Sequence, residues 1–451
     1  MQNSAHKRSS TLSIRSWPAA LAMAIAVGLT GAGQSAHAQT FTVIHTFTGA
    51  PNEGALPMNG VVIDRAGNLY GVTFSGGIPG TTGNGCTAFT NGGCGAVFKL
   101  TRHGSGWIYS TLYKFQGVPD GNYPAGVVVG PDGALYGATF GGGINTGTCA
   151  NYLNGCGVVF RVRPPATSCA NALCLWNESL LHVFTGANDD GANPGNGDLI
   201  FDSAGTIYGT TEAGGATNWG TAYKLTPSQG GWTESVFFSF DPSQQQVAMP
   251  GSGLIMDQAG NLYGSSGYNV DGNPGGAIYQ LVNSQSGWMV NALQVFKCVG
   301  GLNGCFPDAP IFDPSGNLVA ATSDSGFYHN GTAIKLLASD NWNIDLLYTF
   351  QEGQGGTVNR LAMDSAGNLY GTGIYCSSGY GCVYKLTPTS NGYICTDLHD
   401  FNGRGDGINP YGPVAIDANG NLYGTAELGG NLKDCFQEFE QGCGTVWEIT
   451  P

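Results

Sequence analysis

Charged side chains are scarce in this sequence, and basic ones are the scarcest. Only 10% of its 451 residues are charged, with 16 Lys and Arg against 30 Asp and Glu, which gives a formal net charge of −14. A chain with this balance is repelled by phosphate backbones and by anionic membrane surfaces. The composition therefore argues against a nucleic-acid partner.

Long apolar runs are also missing, except for "AALAMAIAVGL" near the N terminus. Three basic residues precede this run and "SAHA" follows it, a pattern typical of a secretory signal peptide that is cleaved after Ala38. The run is too short to span a membrane. We therefore predict a signal peptide over residues 1–38, a single domain without a membrane span over residues 39–451, and export to a periplasmic, extracellular or cell-surface location.

Helical periodicity is absent from residues 39–451. The apolar residues stand instead in short runs of β-branched and aromatic residues bounded by Gly, Pro, Asn or Asp, which is typical of β-strands. The 75 glycines fit a chain with very many turns. The sequence therefore predicts an all-β protein.

One phrase, "GNLYG", recurs in variant form seven times, at intervals of 51 to 72 residues, which indicates a repeat architecture. An Asp stands three residues before its first Gly in six copies, and Gly130 takes that place in the second copy. An aromatic strand ending in Phe precedes each copy and a "GTVFKLT"-like strand follows it, so each repeat contains four strands. The first Gly of the seven copies is Gly67, Gly133, Gly205, Gly260, Gly316, Gly367 and Gly420.

Seven four-stranded antiparallel units predict a seven-bladed β-propeller, a ring that leaves only short sheet edges. The D-x-x-G-N segments are expected to form tight hairpins, because Asp bonds the backbone ahead of it and Gly supplies a positive φ. The chain begins with the aromatic strand "FTVIHTF" and stops at "GTVWEITP". We therefore expect the N-terminal strand to complete the last blade; the alternative is that each blade starts with its own aromatic strand.

Successive connections in an antiparallel blade alternate between its two ends. The hairpins therefore lie on one face of the ring, and the crossovers lie on the other face with the long loops that precede the "GTVFKLT" strands. Variable loops on a rigid scaffold commonly carry function. We call this second face the variable-loop face and predict ligand contacts there.

Twelve of the 13 cysteines stand in close pairs, and an exported protein keeps its disulfides. Cys395 is left over; it is buried, exchanges with Cys376 or Cys382, or bonds another chain. No C-x-x-C occurs and no His lies at finger spacing, so no zinc site is predicted. The six predicted bridges are Cys86 with Cys94, Cys149 with Cys156, Cys169 with Cys174, Cys298 with Cys305, Cys376 with Cys382, and Cys435 with Cys443.

His45, His182 and His399 each lie two residues before the Phe of an aromatic strand, an arrangement that could gather around a metal. Other repeats place Tyr113 or Phe238 at the same position. A position that packs on the neighbouring blade explains all of these residues. No metal site is therefore predicted, and no cofactor is identified.

The motif D-G-x-x-P recurs in the crossovers, at Asp120, Asp190 and Asp406, with Tyr123 and Tyr411 nearby. Its simplest interpretation is a turn that leads through Pro into the next strand. Because these residues belong to the variable-loop face, they are the predicted ligand contacts. No nucleophile motif, P-loop or complete EF-hand loop occurs, so no catalytic residue is predicted.

The unit "LYTF … DG…P … G…D..GNLYGTT..GG … GTVFKLTP" resembles the GloVer tandem repeat of secreted bacterial proteins with a choice of C-terminal anchors. The resemblance covers residues 41–451 and implies a propeller and an exported location, but it brings no activity. The fifth repeat departs from the pattern, since Val319 and Ala320 replace Tyr and Gly.

Two functions remain. The first is a non-catalytic binding or scaffold module with a polysaccharide or a surface protein as its partner, which the lack of a catalytic set favours. The alternative is a polysaccharide lyase or hydrolase with a site at the mouth of the channel. Two or more carboxylates or histidines that converge on the channel would favour the enzyme.

Overall fold

The computed structural model describes residues 39–451 except for 81–85, 87–91, 152–154, 166–174, 196–197, 246, 269–273, 299–302, 325–329, 434 and 436–440. This part of the chain forms seven antiparallel sheets arranged as the blades of a β-propeller, which confirms the predicted fold. Within it, none of the helices is long and apolar enough to cross a membrane. The helices are two 3₁₀ turns, Gly147–Asn151 and Ala338–Asp340, and one α-helical turn, Pro242–Gln245.

Each blade runs from a first strand, which is two residues long in every blade except blade 2, to a fourth strand at the opposite edge of the sheet. In blades 1 to 7, the first strands are Val62–Ile63, Gly121–Val129, Ile200–Phe201, Ile255–Met256, Ile311–Phe312, Ala362–Met363 and Ala415–Ile416. The second strands are Leu69–Thr73, Leu135–Gly142, Ile207–Thr211, Leu262–Tyr268, Leu318–Asp324, Leu369–Cys376 and Leu422–Ala426. The third strands are Ala96–His103, Val158–Arg163, Thr221–Ser228, Pro274–Ser284, Thr332–Leu337, Cys382–Thr389 and Thr445–Thr450. The fourth strands are Gly106–Lys114, Asn177–Val183, Gly231–Ser239, Gly287–Val295, Asn343–Thr349, Gly392–Asp400 and, for blade 7, Thr40–Thr46.

Short extra strands extend five blades ahead of the first strand. Two of these extra strands, Gly54–Ala55 and Gly191–Ala192, lie outside the blade sheets. They pair with Ser75–Gly76 and Ala213–Gly214, respectively. The other three pair with the end of the second strand of their own blade, and they are Ala248–Pro250, Cys305–Pro307 and Gln354–Val358.

The ring closes as the sequence predicts. Thr40–Thr46 pairs antiparallel with Thr445–Thr450, so the N-terminal strand is the fourth strand of blade 7. The Phe47 N–H then donates to the Gly444 carbonyl oxygen at 3.0 Å. The first and last strands of the chain therefore share one sheet.

The "GNLYG" phrase contains two glycines with different roles. The first has a positive φ in the hairpin, as at Gly67, where φ is +79°. The second lies opposite an aromatic residue of the third strand; a Cβ at Gly71 would stand 2.5 Å from the Phe98 ring. The same cross-strand pairing recurs in Gly137 with Phe160, Gly209 with Tyr223, Gly264 with Tyr279, Gly371 with Tyr384 and Gly424 with Trp447.

Blade 5 keeps this geometry by a paired replacement. Ala320 stands where the other blades have the second Gly, and it lies opposite Ile334, which replaces the aromatic residue. The smaller third-strand side chain leaves room for the methyl group. The departure seen in the sequence is therefore a compensated pair inside a regular blade.

The hairpin Asp acts as a turn residue. Asp64 Oδ1 accepts hydrogen bonds from the backbone N–H groups of Ala66 and Asn68, at 2.8 and 2.9 Å, and its Oδ2 accepts one from the Tyr70 hydroxyl at 3.1 Å. The two irregular blades replace the contact with the Tyr hydroxyl in different ways.

In blade 2, where Gly130 stands in the Asp position, Asp132 accepts the hydrogen bond from the Tyr136 hydroxyl at 3.0 Å. In blade 5, where Val319 replaces the Tyr, Lys335 Nζ lies 3.2 Å from Asp313 Oδ2. Each blade thus provides its hairpin carboxylate with a partner from the adjoining strands.

The hydrophobic core lies between neighbouring blades. At six of the seven blade interfaces, the Phe that follows the fourth strand packs edge-on against the third-strand aromatic ring of the next blade, as Phe115 does on Phe160 with ring centroids 5.0 Å apart. The exception is the interface of blades 4 and 5, where Ile334 takes the place of the ring. Phe47 closes the ring by the same contact with Phe98 at 5.2 Å. Both Phe side chains are fully buried, so each blade is held mainly by its neighbours.

Candidate functional site

A cavity of about 370 Å³ lies in the central channel, where the chain enters the first strand of each blade. This is the crossover side, and hence the variable-loop face. All seven blades contribute to its wall. The lining residues are Met58, Asn59, Ala125, Asp198, Gly251, Gly253, Asp308, Ala309, Asn359, Arg360, Tyr411 and Pro413.

One position, four residues before the hairpin Asp, is occupied by small residues or Pro in five blades. There is little room at this position, because a Cβ at Gly60 would lie 2.6 Å from the carbonyl oxygen of Pro413 in the neighbouring blade. The two exceptions are Asp198 in blade 3 and Arg360 in blade 6. The five small or Pro residues are Gly60, Gly126, Gly253, Ala309 and Pro413.

Arg360 and Asp198 meet although their blades are not neighbours in the ring. Arg360 Nη1 donates to Asp198 Oδ2 at 2.5 Å. The Arg360 side chain is 25% exposed and the Asp198 side chain 34%, so both charges remain in contact with solvent. A pair this exposed stabilises the fold by roughly 1 kcal/mol or less. Its groups are therefore available to a ligand at little cost.

Asp308 brings a second carboxylate to the same wall, from blade 5. Burial raises the pKa of this carboxyl above its ordinary value, and the nearby charge of Asp198 adds to the increase. Hydrogen bonds from the Ala309 and Arg360 backbone N–H groups and the charge of Arg360 oppose the rise without cancelling it. Two carboxyl groups in different environments thus flank one guanidinium group.

Two carboxamides are fixed at the wall. Asn359 Nδ2 donates to Thr372 Oγ1 and to the Pro410 carbonyl oxygen, both at 3.0 Å. Asn59 Nδ2 donates to the Ala125 carbonyl oxygen. Because both amides are held by their surroundings, the wall is ordered before a ligand arrives.

The predicted ligand residues separate into two groups. Tyr411 lines the cavity, and burial, followed by the charge of Glu427, raises the pKa of its hydroxyl. The other four, Asp120, Tyr123, Asp190 and Asp406, are not among the lining residues. Tyr123 is fully buried and stacks on Phe74 at 4.9 Å between ring centroids.

The three D-G-x-x-P carboxylates are bonded within their own crossovers. Asp120 Oδ2 accepts from the Gln116 backbone N–H at 3.0 Å and from the Tyr113 hydroxyl at 2.9 Å. Asp190 and Asp406 repeat the arrangement with histidine, at 3.3 Å from His182 Nε2 and 3.1 Å from His399 Nε2. Their contacts belong to turns and blade interfaces, and their role in ligand binding remains a prediction.

The histidine position packs between blades. The His399 ring stacks on Phe41 with centroids 3.5 Å apart, and the His45 ring stacks on Tyr109 at 4.0 Å. In each case the partner comes from the fourth strand of the next blade. The histidine position thus has the packing role that the sequence predicts. A carboxylate from the crossover lies beside it.

Asp198, Asp308 and Arg360 were not singled out by the repeat pattern. What distinguishes Asp198 and Arg360 in the sequence is that they break a column of small residues. A departure from a structural repeat at a position facing the channel is therefore the signal that would have identified them.

Five of the six predicted disulfides are present, and Cys169 and Cys174 lie outside the described residues. Cys395 is a free, half-buried thiol beside Tyr348. Burial, followed by the charge of Asp397, raises the pKa of this thiol to about 12. The five bridges join Cys86 to Cys94, Cys149 to Cys156, Cys298 to Cys305, Cys376 to Cys382 and Cys435 to Cys443.

Solved structures with a similar fold are distant in sequence. The extracellular domain of a putative one-component system from B. thetaiotaomicron aligns with 91% of this chain at 11% identity and a TM-score of 0.50, although this chain covers only 42% of that one. A putative gluconolactonase aligns with 72% of this chain and 87% of its own length, at 12% identity and a TM-score of 0.38. The PQQ-bound aldose sugar dehydrogenase of Streptomyces coelicolor aligns with 91% of this chain and 98% of its own, at 11% identity and a TM-score of 0.38. These similarities concern the fold alone.

No curated protein matches the chain. The model of the Gloeobacter/Verrucomicrobia repeat matches it three times in overlapping segments, residues 79–303, 147–375 and 307–451. Together these segments span most of the propeller, and they agree with the repeat read from the sequence. The chain therefore belongs to the Gloeobacter/Verrucomicrobia repeat family.

Proposed function

We propose that the protein is an exported, non-catalytic binding module that holds a sugar unit of a polysaccharide in its central cavity. The observation that carries the proposal is the convergence of Arg360, Asp198 and Asp308, from three different blades, on one cavity. If the pair of Arg360 and Asp198 served only to stabilise the fold, the second carboxyl group, that of Asp308, would have no role in it. Three such groups around one cavity are suited to binding a polar ligand.

The chemistry of the wall suits a polyhydroxylated ligand. Carboxylates accept hydrogen bonds from hydroxyl groups and a guanidinium group donates them in a fixed fork. Tyr411 adds an aromatic side chain against which the apolar face of a sugar ring can pack. A cavity of about 370 Å³ also lies within the range of roughly 300–1,000 Å³ found for small-molecule sites.

Export is supported by two features that do not depend on the cavity. The first 38 residues have the pattern of a signal peptide. The described chain also carries five disulfides, which persist in oxidising compartments and are rare in the cytosol.

The test is the melting temperature of residues 39–451 against neutral monosaccharides, sugar acids and short oligosaccharides. A ligand at 100 times its Kd stabilises the native state by about 2.7 kcal/mol. We expect at least one sugar to raise the melting temperature, and Arg360→Gln and Asp198→Asn to abolish the shift. The matched control is Asp345→Asn, an exposed Asp on the fourth strand of blade 5. The proposal fails if no sugar shifts the melting temperature, or if the shift survives in both cavity variants.

A glycan-cleaving enzyme is the second candidate, favoured by one observation. Asp308 has a raised pKa, while Asp198 is paired with Arg360 in the same cavity. Two carboxyl groups in unlike environments are what general acid–base cleavage of a glycosidic bond requires. Incubation of the protein with the polymer of a binding sugar decides between the two. If the parent protein forms product and Asp308→Asn does not, while the sugar still raises the melting temperature of this variant, the protein is an enzyme. If no product forms, the binding module is the function that remains.

A further inference from the structure

At the interface between blades 2 and 3, one imidazole and two carboxylates face one another. His182 comes from the fourth strand of blade 2, Asp190 from the crossover that follows, and Glu234 from the fourth strand of blade 3. One ligand atom from each lies within 4.8 Å of the others. None of the three residues lines the central cavity.

We propose that His182, Asp190 and Glu234 bind a divalent transition-metal ion of the zinc class. An imidazole nitrogen and carboxylate oxygens are donor types that Zn²⁺ accepts, and catalytic zinc sites have three protein ligands and one open position. Hard cations such as Ca²⁺ instead require six or more oxygen ligands. The site is separate from the channel and does not depend on the proposed sugar binding.

The geometry of the first two ligands already fits a shared ion. His182 Nε2 lies 3.3 Å from Asp190 Oδ1. Two ligand atoms at 2.0–2.2 Å from a tetrahedral zinc ion are about 3.3–3.6 Å apart. The Glu234 carboxylate oxygen lies within 4.8 Å of both, so it must move closer by about 1 Å to complete the set.

Asp190 is held in place by its own turn. Its Oδ2 accepts from the backbone N–H and the hydroxyl of Thr185, both at 2.8 Å, and its Oδ1 accepts from the Gly191 N–H at 2.8 Å. Such surrounding hydrogen bonds orient metal ligands and strengthen binding. The His182 side chain is 21% exposed and the Asp190 side chain 14%, so an ion can reach them from solvent.

Glu234 supplies the independent observation. Its Oε1 is buried, yet no hydrogen-bond donor in the described structure reaches it. A buried carboxylate oxygen without a partner is costly, and a bound cation would satisfy it.

The other blade interfaces show that the combination is specific. The interface of blades 1 and 2 has Asp120 and Glu178 but Tyr113 in place of the histidine. The interface of blades 7 and 1 has His45 and Glu53 but Tyr109 in place of the second carboxylate. Among the described residues, only the interface of blades 2 and 3 combines all three ligand types in one cluster.

The experiment uses untagged protein of residues 39–451, treated with EDTA and dialysed, in a Cys395→Ser background so that this free thiol does not bind metal. Zinc chloride is titrated by calorimetry, and Co²⁺ replaces it for a visible absorption spectrum. We expect one Zn²⁺ per chain, and His182→Gln and Glu234→Gln each to weaken binding at least about tenfold. Asp190 is left unchanged because it also holds the turn.

The matched controls are His45→Gln and Glu178→Gln, the same positions at two other interfaces, which should leave zinc affinity unchanged. The metal-free melting temperature of each variant shows that it folds, and zinc should raise it in the parent and not in His182→Gln. The proposal is overturned if zinc does not bind stoichiometrically, if both ligand variants bind it as the parent does, or if Ca²⁺ binds at least as tightly.

Discussion

Thr40 lies opposite Thr450 in the antiparallel ladder that joins the two ends of the domain. Residues 40–46 therefore supply the fourth strand of the last blade. Stability of the whole ring depends on this contact, because each blade buries its core against its two neighbours.

Phe47 directly follows the closing strand and links it to blade 1. It is fully buried against Phe98 of blade 1. We expect Phe47→Ala to lower the free energy of unfolding by about 3–5 kcal/mol, the usual loss for a buried Phe. Urea unfolding measures this free energy. The control is Ile108→Ala, at a site 43% exposed, which we expect to change the free energy of unfolding by about 0.5 kcal/mol or less. Equal losses in the two variants would contradict closure by the N-terminal strand.

The compensated pair of blade 5 predicts a non-additive result. Ile334→Phe alone places a ring against the Ala320 methyl group, so we expect a loss of about 1–3 kcal/mol from overpacking. Ala320→Gly should restore much of this loss in the double variant, because it recreates the Gly–aromatic pair of the other blades. Thermal unfolding of the two single variants and the double variant tests this; strictly additive losses would refute the pairing.

The hairpin carboxylates predict a loss of stability in acid. Burial by itself raises the pKa of Asp364, but hydrogen bonds from Asn368, Tyr370 and Ala366 outweigh it and hold the pKa below its ordinary value. A group with a lowered native pKa stabilises the fold above its unfolded pKa of 3.8, and this contribution disappears as pH falls through the native value.

Asp364→Ala is therefore expected to destabilise the protein at pH 7 by about 1–3 kcal/mol, since bonds to a charged acceptor are lost. The difference from the parent should shrink as pH falls below 3.8. Urea unfolding at pH 7 and pH 2.5 measures it, with exposed Asp345→Ala as the control. A difference that stays constant with pH would show that the charge is not responsible.

Glu178 predicts the opposite pH dependence. Burial, followed by the charge of Asp120, raises the pKa of Glu178 to about 7 from 4.5. A raised native pKa means that the contribution to stability is complete below 4.5 and is lost as pH rises to about 7. We expect the melting temperature of Glu178→Gln to fall less than that of the parent protein as pH rises from 4.5 to about 7. Exposed Glu352→Gln should leave the profile unchanged, and an unaltered slope in Glu178→Gln would exclude a native pKa near 7.

Much of the fold could be predicted because its signals are local. Gly67 needs a positive φ, and Asp64 accepts hydrogen bonds from the backbone N–H groups of Ala66 and Asn68, so five consecutive residues specify the hairpin. The count of such hairpins gives the number of blades. The N-terminal aromatic strand precedes the first blade, and its position predicts that it closes the ring.

The compensations in blades 2 and 5 were not predictable from the repeat alone. In blade 2, Asp132 of the hairpin turn takes over a contact of the missing Asp. In blade 5, Lys335 on the third strand replaces the missing Tyr of the second strand, an exchange that appears only when the strand register is known.

The strand pattern, the seven blades, the closing strand and five observed disulfides follow from the sequence, because each depends on residues close in the chain or on a repeat. Folding is what places Asp198, Asp308 and Arg360 in one cavity and His182, Asp190 and Glu234 at one interface. Ring closure brings together positions far apart in the chain, such as Asp198 and Arg360 with a separation of 162, and the packing of adjacent blades brings His182 and Glu234 together. No local pattern records which side chains meet across the channel or between blades.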